Sequence, residues 1–154
     1  MRVAATDRGA CAIVLPGVAE PKKQVARLLA EGKRAPSEHR VLQALLAACS
    51  TYFAGKPEHL EGQPVDWSLV TDFQQRVYQA ARTIPPGRVE SYQWVAQRIG
   101  NPQAARAVGQ ALASNPVPLI VPCHRVVASD GSLGGFTAGL PWKTRLLEME
   151  AQRA

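Results

Sequence analysis

The sequence predicts an α+β protein. A small amino-terminal α/β lobe with a short antiparallel sheet precedes a mostly helical carboxy-terminal domain with a winged-helix-like helix-turn-helix. Three observations predict it. Strand-like runs at residues 2–6 and 10–15 are joined by Asp7-Arg8-Gly9, a turn sequence. Helical spacing dominates from residue 71 onward, and two short helical patterns there meet at Gly100-Asn101-Pro102, a stop followed by a start. Residues 56–70, with Pro57, Gly62 and Pro64, show no sustained period and read as a linker. The expected division is residues 1–68 for the lobe with its linker and 69–154 for the second domain.

In chain order, Pro16-Gly17 ends the second strand. Lys22 to Gly32 reads as a short amphipathic helix, with Val25, Leu28 and Leu29 on one face. Ser37 opens a longer helix on which Val41, Leu42, Leu45, Leu46, Cys49 and Phe53 recur, with Gly55 as its stop. Thr71-x-x-Gln74 has the form of a capping box, and the helix after it runs to about Thr83. Ser91 can cap a helix from Tyr92 to Ile99. Asn101-Pro102 starts the next, which ends near Ala113. An apolar run, Val117 to Val121, leads into Pro122-Cys123-His124-Arg125. Turns at Asp130-Gly131 and Gly134-Gly135 follow, and Pro141 starts a last helix with Trp142, Leu146, Leu147 and Met149 as its apolar face.

No apolar stretch approaches the roughly 20 residues of a membrane-spanning helix, and the first residues lack the apolar core of a signal peptide. An intracellular protein without membrane attachment is expected. Three widely spaced cysteines do not make a disulfide framework. Cys11 and Cys49 read as small buried hydrophobes. With His39 and His59 they lack zinc-site spacing, so no metal is expected. Residues 1–72 hold nine Lys and Arg against eight Asp and Glu, whereas residues 73–154 hold nine against four. This imbalance points the second half toward a polyanion, although solubility charge alone would look the same.

Pro102 to Ala113 is rich in small residues: Ala104, Ala105, Ala107, Gly109, Ala111 and Ala113. An ordinary helix, about 10–12 Å across, fits the major groove of DNA but not the minor groove of about 6 Å. A helix pared to alanine and glycine approaches a widened minor groove more closely. Arg106 is its one long cation. Cys123 is a candidate nucleophile, with His124 as base, through a bridging water, and Glu150 (or Glu148) to fix the imidazole. The Cys-His pair alone also permits a cysteine protease, a pair of metal ligands or an inert thiol.

Pro122-Cys123-His124-Arg125-Val126 follows Ala105-Arg106-Ala107-Val108-Gly109 and Asn115-Pro116-Val117-Pro118 in order. Together with Phe73-Gln74-Gln75-Arg76-Val77, Ile84-Pro85-x-Gly87, Ser91-Tyr92 and Lys143-x-Arg145-Leu146-Leu147-x-x-Glu150, this resembles the O6-alkylguanine-DNA alkyltransferase family over residues 71–150. The resemblance implies direct reversal of DNA alkylation. O6-alkylguanine, and O4-alkylthymine, would be flipped from duplex DNA and the alkyl group moved irreversibly to Cys123, once per molecule. It implies Cys123, His124, Glu150 and Tyr92 as the reacting set. Arg106, Ala104, Ala105, Gly109, Ser91 and Tyr92 would meet DNA. Pro122, Val126, Ser129, Phe136, Thr137 and Asn115 would form the substrate pocket. A monomer is implied that needs no cofactor or metal and works in a bacterial or archaeal cytosol, or in a nucleus if eukaryotic.

Two departures stand out: Phe136 where the family usually has tyrosine, and Ala138-Gly139 where it has a glycine pair. The alternative is a non-catalytic alkyltransferase-like protein that binds DNA lesions. That group typically carries tryptophan in place of the cysteine, and Cys123 argues against it.

Overall fold

The computed structural model describes residues 1–18, 23–31, 39–56 and 60–152. The chain is mixed α and β and forms two compact units, residues 1–69 with 116–120, and residues 70–115 with 121–154. The expected positions Lys22, Gly32, Ser37, Pro57 and His59 lie outside the described residues.

In the first unit, β1 (Arg2–Thr6) and β2 (Gly9–Val14) pair antiparallel, with a bulge between Ala4 and Ala5. Gly9 at the turn has φ +147°, and a Cβ there would lie 2.6 Å from the Pro64 backbone. The backbones meet too closely for any other residue. β2 is apolar along its whole length, and every one of its residues is buried. Val25 and Leu28 of α1 (Lys23–Glu31) pack on Ala12 and Val14, and α2 (Arg40–Phe53) also packs on the hairpin.

The outer edge of β2 is covered as well. Ala10 donates to the Pro64 carbonyl, Asp66 N–H to the Ala10 carbonyl, and Ile13 to the Pro116 carbonyl. These bonds satisfy groups that an open sheet edge would leave free. The stretch read as a linker is therefore tied down over its described part. Leu60, Val65 and Asp66 are buried, and Asp66 accepts from Thr6 and Ser68. α2 starts after His39, whose Nδ1 accepts from Leu42 N–H.

In the second unit, α3 (Asp72–Ala81) carries both bonds of the Thr71/Gln74 capping box. Tyr78 Oη donates to the Ala111 carbonyl and ties α3 to α5 (Ala105–Ala113). The two-residue strand β3 (Glu90–Ser91) lies parallel to β4 (Val126–Val127), which brings the start of α4 (Tyr92–Arg98) beside the Cys123 segment. Ser91 Oγ accepts from Trp94 N–H at 3.0 Å.

α4 ends in a left-handed glycine, Gly100 (φ +75°), with Asn101 N–H bonded to the Ala96 carbonyl. The next segment departs from expectation. Pro102–Ala104 is a 3₁₀ turn, the α-helix begins only at Ala105, and the Asn101 side chain makes no cap bond. Gln93 Nε2 instead reaches the Pro102 carbonyl and closes the α4–α5 corner. The last helix, α6 (Leu140–Ala151), buries Lys143 and Glu150 together with Leu146 of the expected apolar face, whose Trp142, Leu147 and Met149 are only half-buried.

Candidate active site

Cys123–Arg125 is one turn of 3₁₀ helix, with Arg125 N–H bonded to the Pro122 carbonyl, and not the extended strand that the apolar run suggests. At three residues per turn, successive side chains fan out in three directions. Cys123 thereby faces a pocket, while His124 and Arg125 reach into the core toward α6.

Asn115 fixes the thiol. Its Nδ2 donates to Cys123 Sγ at 3.1 Å and to the Val121 carbonyl at 3.0 Å. Burial pushes the Cys123 thiol up to about 11, against the opposing pull of the Asn115 bond and the Lys143 charge. The resting group is thus a protonated thiol, and a nucleophile requires a base.

His124 is fully buried, and its Nε2 lies 2.9 Å from Glu150 Oε1. Burial works against charge on Glu150. Hydrogen bonds from His124 and Arg125, and the charge of Arg125, outweigh it and hold the carboxyl well below the usual range. An ionised carboxylate only accepts, so Nε2 carries the proton. Burial also pushes the His124 pKa down, keeping the ring neutral. Nδ1 then bears the lone pair, and it has no protein partner. Geometry and charge together leave one free base nitrogen on the residue next to the thiol.

Two residues of this cluster carried no role in the sequence reading. Arg125, fully buried, holds Glu150 in a two-pronged grip, Nε to Oε2 and NH2 to Oε1, each 2.9 Å, and also donates to the Ile84 carbonyl. Lys143 donates to the carbonyls of Val126, Leu133 and Gly135. Burial depresses its pKa to about 8. It pins the 133–135 loop to β4. The available signal was only that both cations stand within the motifs that carry the resemblance.

The pocket above Cys123 has a volume of about 350 Å³ and is lined by Tyr92, Arg106, Gly109, Gln110, Phe136 and neighbouring backbone. Gly134 (φ +63°) lets the loop meet Tyr92, since a Cβ there would sit 2.7 Å from the phenol oxygen. Phe136 also stands edge-on to His124, centroids 6.4 Å apart.

Of the expected pocket residues, Phe136 is a wall and Asn115 touches the sulfur. Pro122 and Val126 are buried backbone supports flanking the turn, Ser129 is exposed in a turn, and Thr137 donates to the Ala113 carbonyl. None of these four is among the walls, because the polypeptide turns inward after Cys123 and the loop returns only at Gly134. Ala104 in the 3₁₀ turn and Ala111 on α5 are buried, whereas the exposed residues of Pro102–Ala113 are Pro102, Gln103, Arg106, Ala107 and Gln110, less uniformly small than the composition implied. Ala105 and Gly109 are half-buried, and the Ser91 hydroxyl is taken up by its cap bond.

Among the described residues no group of three or more His, Cys, Asp or Glu is placed to hold a metal ion, and no helix is long and apolar enough to cross a membrane. Cys11 and Cys49 are free and buried.

A buried thiol next in sequence to a histidine with an unpartnered Nδ1 thus lies under a pocket that α5 helps to wall. The chain belongs to the family described as 6-O-methylguanine DNA methyltransferase, DNA binding domain, whose model matches residues 72–152. The methylated-DNA–protein-cysteine methyltransferase of Mycobacterium tuberculosis is 48% identical over 106 residues, 68% of this chain and 62% of that protein. The alignment thus spans less than two thirds of that relative's length. The protein of the same name from Mycolicibacterium paratuberculosis is 39% identical over 116 residues, 75% of this chain and 68% of its own. The crystal structure of M. tuberculosis OGT in complex with DNA superposes with a TM-score of 0.78 at 34% identity, covering 99% of this chain and 86% of that one.

Proposed function

We propose that this protein repairs DNA by direct reversal, moving an alkyl group from O6-alkylguanine, or O4-alkylthymine, to Cys123. The observation that carries the reading is the unpartnered Nδ1 of a neutral His124, backed by Glu150, beside a buried thiol that opens on a pocket walled by Tyr92 and Arg106. The cysteine proton passes to Nδ1 through a bridging water. The sulfur then attacks the alkyl carbon in line, the C–O6 bond breaks, and its electron pair goes to the guanine, which takes up a proton. The Tyr92 phenol is the nearby donor. The thioether formed is not cleaved by water, so each molecule acts once, with no cofactor.

In this reading residues 1–68 are the amino-terminal lobe and residues 69–154 the DNA-binding and acceptor domain, although residues 116–120 of the latter group with the first compact unit. The α4–α5 pair, winged-helix-like in its setting, would lay α5 in the minor groove of duplex DNA. The flipped base would enter the pocket, and the exposed Arg106 would fill the gap it leaves. Unstacking costs a few kcal/mol, least for a weakly paired damaged base. A monomer acting in a bacterial or archaeal cytosol, or in a nucleus, without membrane attachment completes the proposal. The lesion-binding alternative is disfavoured by Cys123 itself.

Intact-protein mass after mixing with duplex containing O6-methylguanine tests the proposal. One added CH₂ per molecule, on Cys123, is expected, and multiple turnovers or an unchanged mass would refute it. Replacing Arg106 by alanine tests the finger. Transfer from duplex should fall at least about tenfold, as expected for loss of one interaction of 1.4 kcal/mol or more, while transfer from the free base O6-benzylguanine holds. Equal losses on both substrates would remove that role.

A further inference from the structure

The excess positive charge of residues 73–154 has to be located before it can be interpreted. Arg125 is neutralised by Glu150 and Lys143 is enclosed by carbonyls, so neither projects into solvent. Arg76 on α3 and Arg98 on α4 are exposed and share one open groove of about 390 Å³, lined also by Gln79, Ala80, Thr83 and Ile99. Among the described residues neither guanidinium pairs with a carboxylate. Asp72, one helical turn before Arg76, makes no ion pair with it. The Arg98 guanidinium lies 5.5 Å from the centroid of Trp94, a stack that pre-orders it. Two unpaired forks on one groove are donor-only and suited to phosphate oxygens.

Arg98 lies six residues along α4 from Tyr92, roughly 9 Å at 1.5 Å per residue.

We propose that the α3–α4 groove bearing Arg76 and Arg98 is a second DNA contact, which grips phosphates flanking the site where α5 binds. The inference rests on the DNA reading above. The contact is with backbone and carries no sequence information. It supplies affinity and register, and its strength falls with salt.

Each phosphate contact adds about 0.9 to the slope of log affinity against log salt. Binding of the full chain to an unmodified duplex of roughly 20 base pairs, followed by fluorescence anisotropy over a salt series, measures that slope. Arg76→Gln/Arg98→Gln should lower it by about 1–2 and weaken binding on the order of tenfold at 0.1 M salt. Transfer from free O6-benzylguanine should stay at the unsubstituted rate, which reports an intact site. Arg98→Lys should keep most of the slope and lose part of the affinity. An unchanged slope and affinity in the double variant, with the unsubstituted chain binding normally, overturns the groove and leaves the DNA reading standing. If the unsubstituted chain itself does not bind the duplex, the DNA reading fails and the groove proposal with it.

Discussion

Replacing Cys123 by alanine is expected to abolish alkyl transfer altogether while leaving the fold and DNA binding in place. The loss is total because no other group on the pocket wall is a nucleophile. The other named walls are a phenol, a guanidinium, an amide, glycines and apolar side chains. Cys11 and Cys49 are buried in the first unit, and burial raises the pKa of both.

The fold should survive because the substitution removes one sulfur from a position open to the pocket. Asn115 keeps its bond to the Val121 carbonyl, which anchors the turn without Sγ. A stability change of about 1 kcal/mol is the expected size for such a trimming. The measurements are protein mass and lesion content after incubation with O6-methylguanine duplex, beside a binding isotherm on the same duplex. Residual transfer in the variant would remove Cys123 as the acceptor. Loss of binding together with transfer would mean that the cysteine holds the pocket open.

Local signals wrote much of this structure into the sequence. The Thr71/Gln74 box and the Ser91 cap depend on residues three apart, and both form. Pro122-Cys123-His124 and the last helix narrow the partner of His124 to Glu150 or Glu148, and it is Glu150 that meets the ring at 2.9 Å. Tertiary cover was not legible. β2 is apolar throughout, but nothing local says that α1 lies on its Ala12/Val14 face or that backbone groups at residues 64–66 and 116 close its edge.

The inward face of α6 is another case. Glu150 is expected inward as the partner of His124, but Lys143 reads as solvent-facing by type, since charged residues are seldom buried unless paired. They face inward because carbonyls on a distant loop and a guanidinium on another element satisfy them. The pocket walls failed similarly. Ser129 and Thr137 flank the motif in sequence, but the loop returns to the thiol only at Gly134, where a positive φ and the absence of Cβ allow it to meet Tyr92.

Arg125→Met should be the most destabilising single change in this cluster. It strips the two-pronged guanidinium from the buried Glu150 carboxylate, whose other partners include His124 and, at 3.4 Å, Gly87 N–H. Breaking a buried pair by removing one partner costs about 3–5 kcal/mol. At about 2–4 °C per kcal/mol for a chain of this size, the melting temperature should fall by roughly 10 °C near neutral pH.

The pH dependence separates charge from packing. Glu150 has a folded pKa held below its unfolded value. Its contribution is therefore present above about pH 4.3, the unfolded value, and fades as pH falls toward the folded one. Neutral His124 adds to acid sensitivity in both proteins, because below about pH 6.5 the unfolded chain takes up a proton that the buried ring refuses. The gap between native and Arg125→Met melting temperatures should accordingly narrow below about pH 4, where a protonated Glu150 no longer needs the guanidinium. A gap constant with pH would assign the loss to packing alone. Arg125→Met/Glu150→Leu should regain most of the stability, since replacing both charges leaves none unpaired. It should still transfer poorly, because His124 then loses the carboxylate that fixes its tautomer. Recovery of stability without recovery of transfer would separate the fold's need for this ion pair from the base's need for its partner.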